Sequence, residues 1–394
     1  MRAWVVVLGD FGRSPRMQNH AVSLSTSLDA DVTVIAYKGA TPIPAITESS
    51  RIHLHYLRPF PALPRALFLF WAPIKVLFLL LQLLWTCLVV LPVPTFVFLQ
   101  NPPALPTLFV LRFVTLLREA QLIVDWHNYA YTLMPAKSPF RWLAEKYERL
   151  MGPLADWHFC VSRAMRDDLL KNWGIEDVAV LYDRPTSAFH PIGDVERMEV
   201  LEAMDLTEFA QATIIGTATS FTDDEDIQSL IRAIQMLDSL PDAAEKQKRA
   251  LFIISGQGPN RESVRKALPT LKHHAIRLVW APSHLYPSLV ASTHCGISLH
   301  TSSSGVDLPM KVVDYFGAGV PVLATDFEAI GELVVEGKTG YLFHTDIELM
   351  RLLQEILSDD TFLDEVRDGV AAWRQQSWES HWEHTVPSIL VQLE

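Results

Sequence analysis

The stretch HTSSSGVDLPMKVVDYFGAGVPVLATD, residues 300–326, decides how the chain is read. The apolar run His294 to Leu299 before it predicts a strand, and the small polar residues Thr301 to Gly305 predict a loop. A helix is expected to open around Leu308-Pro309, because proline suits a first turn where its missing N–H has no partner to lose. Gly317-Ala318-Gly319 closes that helix, and Val320 to Ala324 reads as a second strand. A strand, a small-residue loop and a helix N-terminus make an anion site, since free backbone N–H groups and the helix dipole face the ligand together. Asp314 falls about 1.5 turns into the helix, where a carboxylate can accept two sugar hydroxyls. Taken alone, the stretch is also an ordinary βαβ unit.

The full string resembles the nucleotide-sugar site of GT-B glycosyltransferases, and most closely the chitobiosyldiphosphodolichol β-mannosyltransferases. The resemblance runs over approximately residues 4–380. It implies an α/β fold of two Rossmann-like domains facing a cleft, with a C-terminal helix returning to the first domain. It implies as partners GDP-mannose, a dolichol-linked chitobiose acceptor and a membrane surface, at the cytosolic face of the endoplasmic reticulum. A complex with other glycosyltransferases of N-glycan assembly is a further expectation; no cofactor is implied.

Working outward, strand and helix signals alternate along all 394 residues, enough for two domains with separate cores. Strands are expected at Trp4–Leu8, Val32–Tyr37, Ile52–Leu57, Phe96–Gln100, Leu122–Asp125, Trp157–Val161 and Val178–Tyr182. The second half gives Thr213–Thr217, Leu251–Ser255, Ile276–Trp280, Cys295–Leu299 and Val320–Ala324. Asp183 to Asp194, with Pro185, Pro191 and Gly193, reads as the linker. The expected organisation is an acceptor domain at 1–185, a nucleotide-sugar domain at 195–370 and a returning helix at 371–394, whose Trp373, Trp378 and Trp382 are packing residues.

The net charge of −12 argues against nucleic acid as a partner. Cys87, Cys160 and Cys295 are odd in number and widely spaced, which suits a reducing compartment and offers no disulfide or metal framework. Met1-Arg2-Ala3 runs straight into the strand Trp4 to Leu8, so no signal peptide is read there. The resembling family usually carries a transmembrane anchor ahead of this strand, and here the sequence starts at the strand.

One window departs from the rest. Ser49 to Arg118 contains no Asp or Glu, yet holds Arg51, Arg58, Arg65, Lys75, Arg112 and Arg118. It also carries an apolar segment, residues 66–91, interrupted by Pro73 and Lys75. Its unbroken part, Val76 to Leu91, is about 24 Å of helix against a hydrocarbon core of roughly 30 Å. Two readings stand: a buried helix of the first domain, or, as favoured here, a helix dipping into one leaflet with Arg58, Arg65 and Lys75 toward headgroups or a pyrophosphate.

Three further strings carry chemistry. In LGDFGRSPRMQNH, Leu8 to His20, Gly9 and Gly12 allow a tight turn before a helix. Gly12 and Arg13 are donor-side candidates, Arg16 an acceptor-side cation, and Asp10 the proposed general base. In VDWHNYAYTLM, Val124 to Met134, a strand presents His127 and Asn128. His127 is expected to contact the sugar, with the base as its secondary role, and Asn128 to contact the acceptor. In TATSFTDDEDI, Thr217 to Ile227, Thr219 and Ser220 are donor-side hydrogen-bond donors, and the acids 223–226 suit a helix N-terminus. Ser304, Gly305, Leu308, Lys311 and Asp314 complete the donor set, Lys311 facing the leaving diphosphate and Asp314 the ribose.

Retaining GT-B enzymes of the commonest pattern carry two Glu residues here. In this chain the second position is Asp314 and the first is Ser304. Loss of the first fits an inverting displacement in which a base deprotonates the acceptor. Asp224-Glu225-Asp226 contains Asp-x-Asp trivially, and no metal site is expected. The rival readings are a GT-B enzyme with another donor or lipid acceptor, and a non-catalytic membrane scaffold.

Overall fold

The computed structural model describes residues 1–61, 68–135, 137–222, 225–241 and 247–393. The chain forms two compact units. The first comprises Met1–Tyr182 and the helix Trp378–Leu393; the second is Asp183–Ser377.

The first unit is built on seven parallel strands: β1 (Arg2–Asp10), β2 (Asp31–Tyr37), β3 (Ile52–Leu57), β4 (Phe96–Asn101), β5 (Gln121–Trp126), β6 (Trp157–Cys160) and β7 (Val178–Val180). Their spatial order is β3-β2-β1-β4-β5-β6-β7. Trp4, Val5, Val6, Phe96, Val97 and Phe98 are all fully buried, as near-continuous apolar strands must be when helices cover both sheet faces. The order reverses between β1 and β4, so the loops leaving their carboxyl ends flank a switch point, where such sheets bind ligands.

The second unit has six parallel strands: β8 (Thr213–Thr219), β9 (Ala250–Gly256), β10 (Ala275–Val279), β11 (Cys295–Ser298), β12 (Val322–Thr325) and β13 (Gly340–Phe343). Their order, β10-β9-β8-β11-β12-β13, switches between β8 and β11. Strand β13 is absent from the sequence reading, because GYLF is only four residues long and neither alternates cleanly nor runs fully apolar. Strand β12 begins at Val322, after Pro321, which has no N–H to give to a ladder.

Two boundaries differ from expectation. The Asp183–Asp194 linker belongs to the second unit, where a Cβ on Gly317 would lie 2.4 Å from Pro185 and one on Gly319 3.0 Å from Pro191. The C-terminal helix starts at Trp378, not 371. Trp373 packs edge-on to Phe316 in the second unit, whereas Trp378 and Trp382 are buried in the first unit's core with Phe98 and Phe159.

The apolar segment runs as one helix through Pro73 and Lys75, from Phe68 to Trp85, and continues as a π-turn over Thr86–Val90. Pro73 sits near its start and removes a single early hydrogen bond. The carbonyls of Cys87 and Leu88 at the other end accept from Arg118 Nη2. Phe70–Val90 is 21 residues long with mean hydropathy 2.1 and is only 17% buried. That is about 31 Å of helix, long and apolar enough to cross a membrane by length and composition. The buried-helix reading is therefore excluded for this segment. Phe70, Ile74, Leu77, Leu81 and Trp85 recur every three or four residues as one exposed stripe, opposite the buried Leu83 and Cys87.

Candidate functional site

In the first unit the site residues gather at the carboxyl ends of β1 and β5. Asp10 ends β1 and caps the turn Phe11–Arg13. Its carboxylate accepts from Gly12 N at 3.1 Å and from Ala40 N at 2.9 and 3.0 Å. The loops after β1 and β2 are thereby tied together, and Gly12 is required there: a Cβ would fall 2.3 Å from the Ala40 carbonyl oxygen. Asp10 is 29% exposed, and Arg13, 82% exposed, lies 3.4 Å from it.

Arg16 departs from the reading as an acceptor-side cation. It is buried, and its Nε and Nη2 each donate to Asp125 at 2.7 Å while Nη1 donates to the Leu181 carbonyl. Asp125, fully buried at the end of β5, is the hub of this cluster. His127 Nε2 lies 3.0 Å from its Oδ2, and His20 Nε2 lies 3.3 Å from the same atom. Burial alone raises the Asp125 carboxyl; the Arg16 guanidinium and the bonds from His127 and His20 outweigh it and hold it well below the usual carboxylate range. Trp382 of the C-terminal helix donates to His20 Nδ1 at 3.1 Å, so the His20 proton faces Asp125. Burial, ahead of the opposing pull of Asp125, lowers the His20 pKa, which keeps that ring neutral.

His127 is 22% exposed by side chain, and its backbone N–H is fixed on the Asn101 carbonyl at 2.9 Å. Asn128, half-buried, is held through its Oδ1, which accepts from Tyr129 N at 2.7 Å and Thr132 Oγ1 at 3.1 Å. Beneath it Glu148, fully buried, accepts from Asn101 Nδ2 at 2.6 Å and Ala130 N at 3.0 Å. Arg58 is exposed, and Arg65 lies outside the described residues.

In the second unit the loops after β8 and β11 meet through a bridge between Glu225 and His300. Glu225, 6% exposed, gathers three of the residues read as donor contacts, Thr219, Ser220 and Lys311. It accepts from Thr219 Oγ1 at 2.6 Å, from Ser220 N at 2.9 Å and from Lys311 Nζ. Lys311 also donates to the Ala218 carbonyl at 3.0 Å. Thr219 and Ser220 thus hold Glu225, and Glu225 balances the Lys311 cation. Asp226 caps the helix Ile227–Asp238 by accepting from Ser229 N; Asp223 and Asp224 lie outside the described residues.

Ser304 donates to Asp307 Oδ1 at 3.1 Å, Ser302 donates to the same oxygen, and Gly305 N donates to Ser302 Oγ at 2.8 Å. Gly305 has φ +81°, a conformation glycine adopts without penalty. Burial pushes the Asp307 carboxyl up, but the bonds from His300, Ser302 and Ser304 bring it below its ordinary value. Leu308 packs on the core beside Val312 and Val313. The helix Met310–Gly317 carries Lys311 and Asp314, with Pro309 as its N-cap. Burial pushes Asp314 up to about 7, with Lys311 opposing.

Sequence reasoning missed Asp125, Glu225 and Asp307 as organising residues. Each is an acid at the end of a strand or in the loop after it, and that position was the available signal. Among the described residues, no group of three or more His, Cys, Asp or Glu is placed to hold a metal ion.

Two doubly wound parallel sheets, each with polar loops at its switch point, together with matches to two glycosyl transferase family models, define this protein as a GT-B glycosyltransferase. Residues 14–182 match the model of the glycosyl transferase 4-like domain, and residues 212–359 that of glycosyl transferases group 1. The solved glycosyltransferase from Rickettsia africae shares the fold with TM-score 0.70 at 13% identity, over 100% of this chain and 98% of that one. Anabaena HepE in complex with UDP does so with TM-score 0.68 at 13%, over the whole of both chains. Among curated proteins, the mouse chitobiosyldiphosphodolichol beta-mannosyltransferase is 35% identical over 98% of this chain and 88% of its own, and the Dictyostelium discoideum enzyme 34% over 97% and 92%. The Arabidopsis thaliana UDP-glycosyltransferase TURAN is 33% identical over 100% and 97%. The chain belongs to the chitobiosyldiphosphodolichol β-mannosyltransferase family.

Proposed function

We propose that this glycosyltransferase moves one mannose from GDP-mannose to the 4-hydroxyl of the outer GlcNAc of GlcNAc₂-diphosphodolichol, with inversion to a β-linkage. The observation that carries this reading is the near-full-length similarity to β-mannosyltransferases in a chain whose polar loops at both switch points are intact. In the transfer, the acceptor oxygen attacks C1 of the mannose, the C1–O bond to the diphosphate breaks, and GDP leaves with the electron pair. Lys311 stabilises the departing diphosphate and Asp314 binds the ribose. The proton of the acceptor hydroxyl passes to a base, for which Asp10 and His127 are the candidates.

The place of action is the cytosolic face of the endoplasmic reticulum membrane. The exposed stripe Phe70–Trp85 supports it, and so do the outward apolar residues Phe109, Phe113 and Leu116 of the neighbouring helix Thr107–Arg118. That surface lies in the acid-free window of an otherwise acidic chain, the charge bias that anionic headgroups favour.

The test is incubation of the purified protein with GDP-mannose and GlcNAc₂-diphospho-polyprenol, with UDP-GlcNAc and UDP-glucose as rival donors. A product heavier by one hexose, made only from GDP-mannose and cleaved by β-mannosidase, is the expected result. Transfer from a UDP-sugar instead would establish the rival-donor reading, the one that the name UDP-glycosyltransferase TURAN favours. No product from any donor, with membranes supplied, would leave the scaffold reading.

A further inference from the structure

The two candidate bases differ in what their side chains are free to do. Both oxygens of Asp10 accept backbone N–H groups, from Gly12 and Ala40, and Arg13 stands beside them. A carboxylate so occupied is a tie between two loops. His127 has one ring nitrogen, Nε2, on Asp125 and is partly exposed at the carboxyl end of β5. Among the described residues no protein group bonds its Nδ1.

We infer that Asp125 is a positioning residue that holds His127 by its Nε2–H, leaving Nδ1 as the atom that takes the proton from the acceptor hydroxyl. The ionised Asp125 carboxylate can only accept, so the neutral ring carries its proton on Nε2 and its lone pair on Nδ1. The proposal rests on the inverting transfer proposed above. As the C1–O bond to the diphosphate breaks and the new C1–O bond forms, the hydroxyl proton moves to Nδ1. The resulting imidazolium keeps its Nε2–H on Asp125.

The charged and titratable groups packed around this pair are Arg16 and His20 from the helix Pro15–Ser27, and Cys160 from β6. Arg16 neutralises Asp125 through two bonds. His20 is fixed by Trp382 and contributes no charge. The C-terminal helix therefore supports the base through Trp382, His20 and Asp125 in turn, a chain of contacts wholly inside the first unit.

The experiment compares wild type, His127→Gln, Asp125→Asn and the double variant for transfer rate against pH, with GDP-mannose affinity measured separately. His127→Gln should lose about 10²–10⁴-fold in kcat, well beyond any change in GDP-mannose affinity, and lose the acid limb of the pH profile. Asp125→Asn should lose about tenfold or more and move the acid limb to lower pH, because the imidazolium loses its anion. The double variant should be no slower than His127→Gln, as groups acting as a unit require. Because Asp125→Asn also strips Arg16 of its partner, the ring tautomer is read independently in wild type. In ¹⁵N-histidine spectra, assigned by difference from His127→Gln, the neutral ring should carry its proton on Nε2. A proton on Nδ1, or Asp125→Asn with an unmoved acid limb, overturns the inference. So does additivity of the two substitutions. Wild type that transfers normally while His127→Gln does also overturns it and leaves the proposed function standing. Wild type that transfers no sugar overturns the function and the base role together.

Discussion

Asp314 gives the sharpest quantitative test of the donor site. Its carboxyl is pushed up to about 7 by burial, against the pull of Lys311. A carboxylate that accepts two ribose hydroxyls is stabilised in its charged form, so donor binding should expel the proton. The sign follows directly: a group whose pKa falls on binding makes the complex tighter as pH rises. With a free-state value near 7, the affinity penalty is a factor of about 1 + 10^(7−pH), which is about 11 at pH 6, about 2 at pH 7 and about 1.1 at pH 8. The Kd for GDP-mannose should therefore weaken about tenfold from pH 8 to pH 6, or about 1.4 kcal/mol. About half a proton should be released per donor bound at pH 7. GDP-mannose suits the measurement because its diphosphate is esterified at both ends and has no proton to lose in this range. Isothermal titration calorimetry in buffers of different ionisation heat reads both quantities. Asp314→Asn should bind about tenfold or more weakly at pH 8, with no proton release and a flat pH profile. Equal linkage in wild type and Asp314→Asn, or none in wild type, would refute the placement of Asp314 on the ribose.

Lys311→Met should weaken GDP-mannose binding and also lower thermal stability, because Glu225, 6% exposed, is left without its cation; an unchanged Tm would contradict the pairing. Trp382→Ala removes a fully buried indole and its bond to His20, and should cost about 3–5 kcal/mol in urea unfolding. Burial lowers His158 to about 3 and, with Arg197 second, His294 to about 4, so the unfolded chain takes up protons first. Stability from these two rings is full above about pH 6.5 and declines as pH falls toward about 4; Tm followed from pH 7.5 to pH 5 should drop, less so in His158→Gln. Replacing Ile74, Leu77, Leu81 and Trp85 with Gln should abolish flotation with anionic liposomes and leave GDP-mannose affinity intact, and flotation that persists would exclude this helix as the membrane contact.

Much of the fold is written locally. Twelve strands are readable in the chain, most as near-continuous apolar runs, because each needs only its own few residues to announce itself. The same holds for the polar loops after β1, β5, β8 and β11, since small residues and helix starts follow a strand in sequence. The chain also declares, through the absence of acids from Ser49 to Arg118, that one region is unlike the rest. What tertiary structure decided is how each polar side chain is used. Arg16 and Asp125 are 109 residues apart, and Lys311 and Glu225 86 apart, so nothing near either residue reveals that its charge is already matched. Asp10 and His127 are both base candidates in sequence; only the fold shows that the Gly12 and Ala40 amides occupy the Asp10 carboxylate and that Asp125 holds one ring nitrogen of His127. Hydrophobic periodicity depends on the local chain and is legible, whereas a hydrogen bond depends on which strand ends the topology brings together, and that is settled when the sheets form.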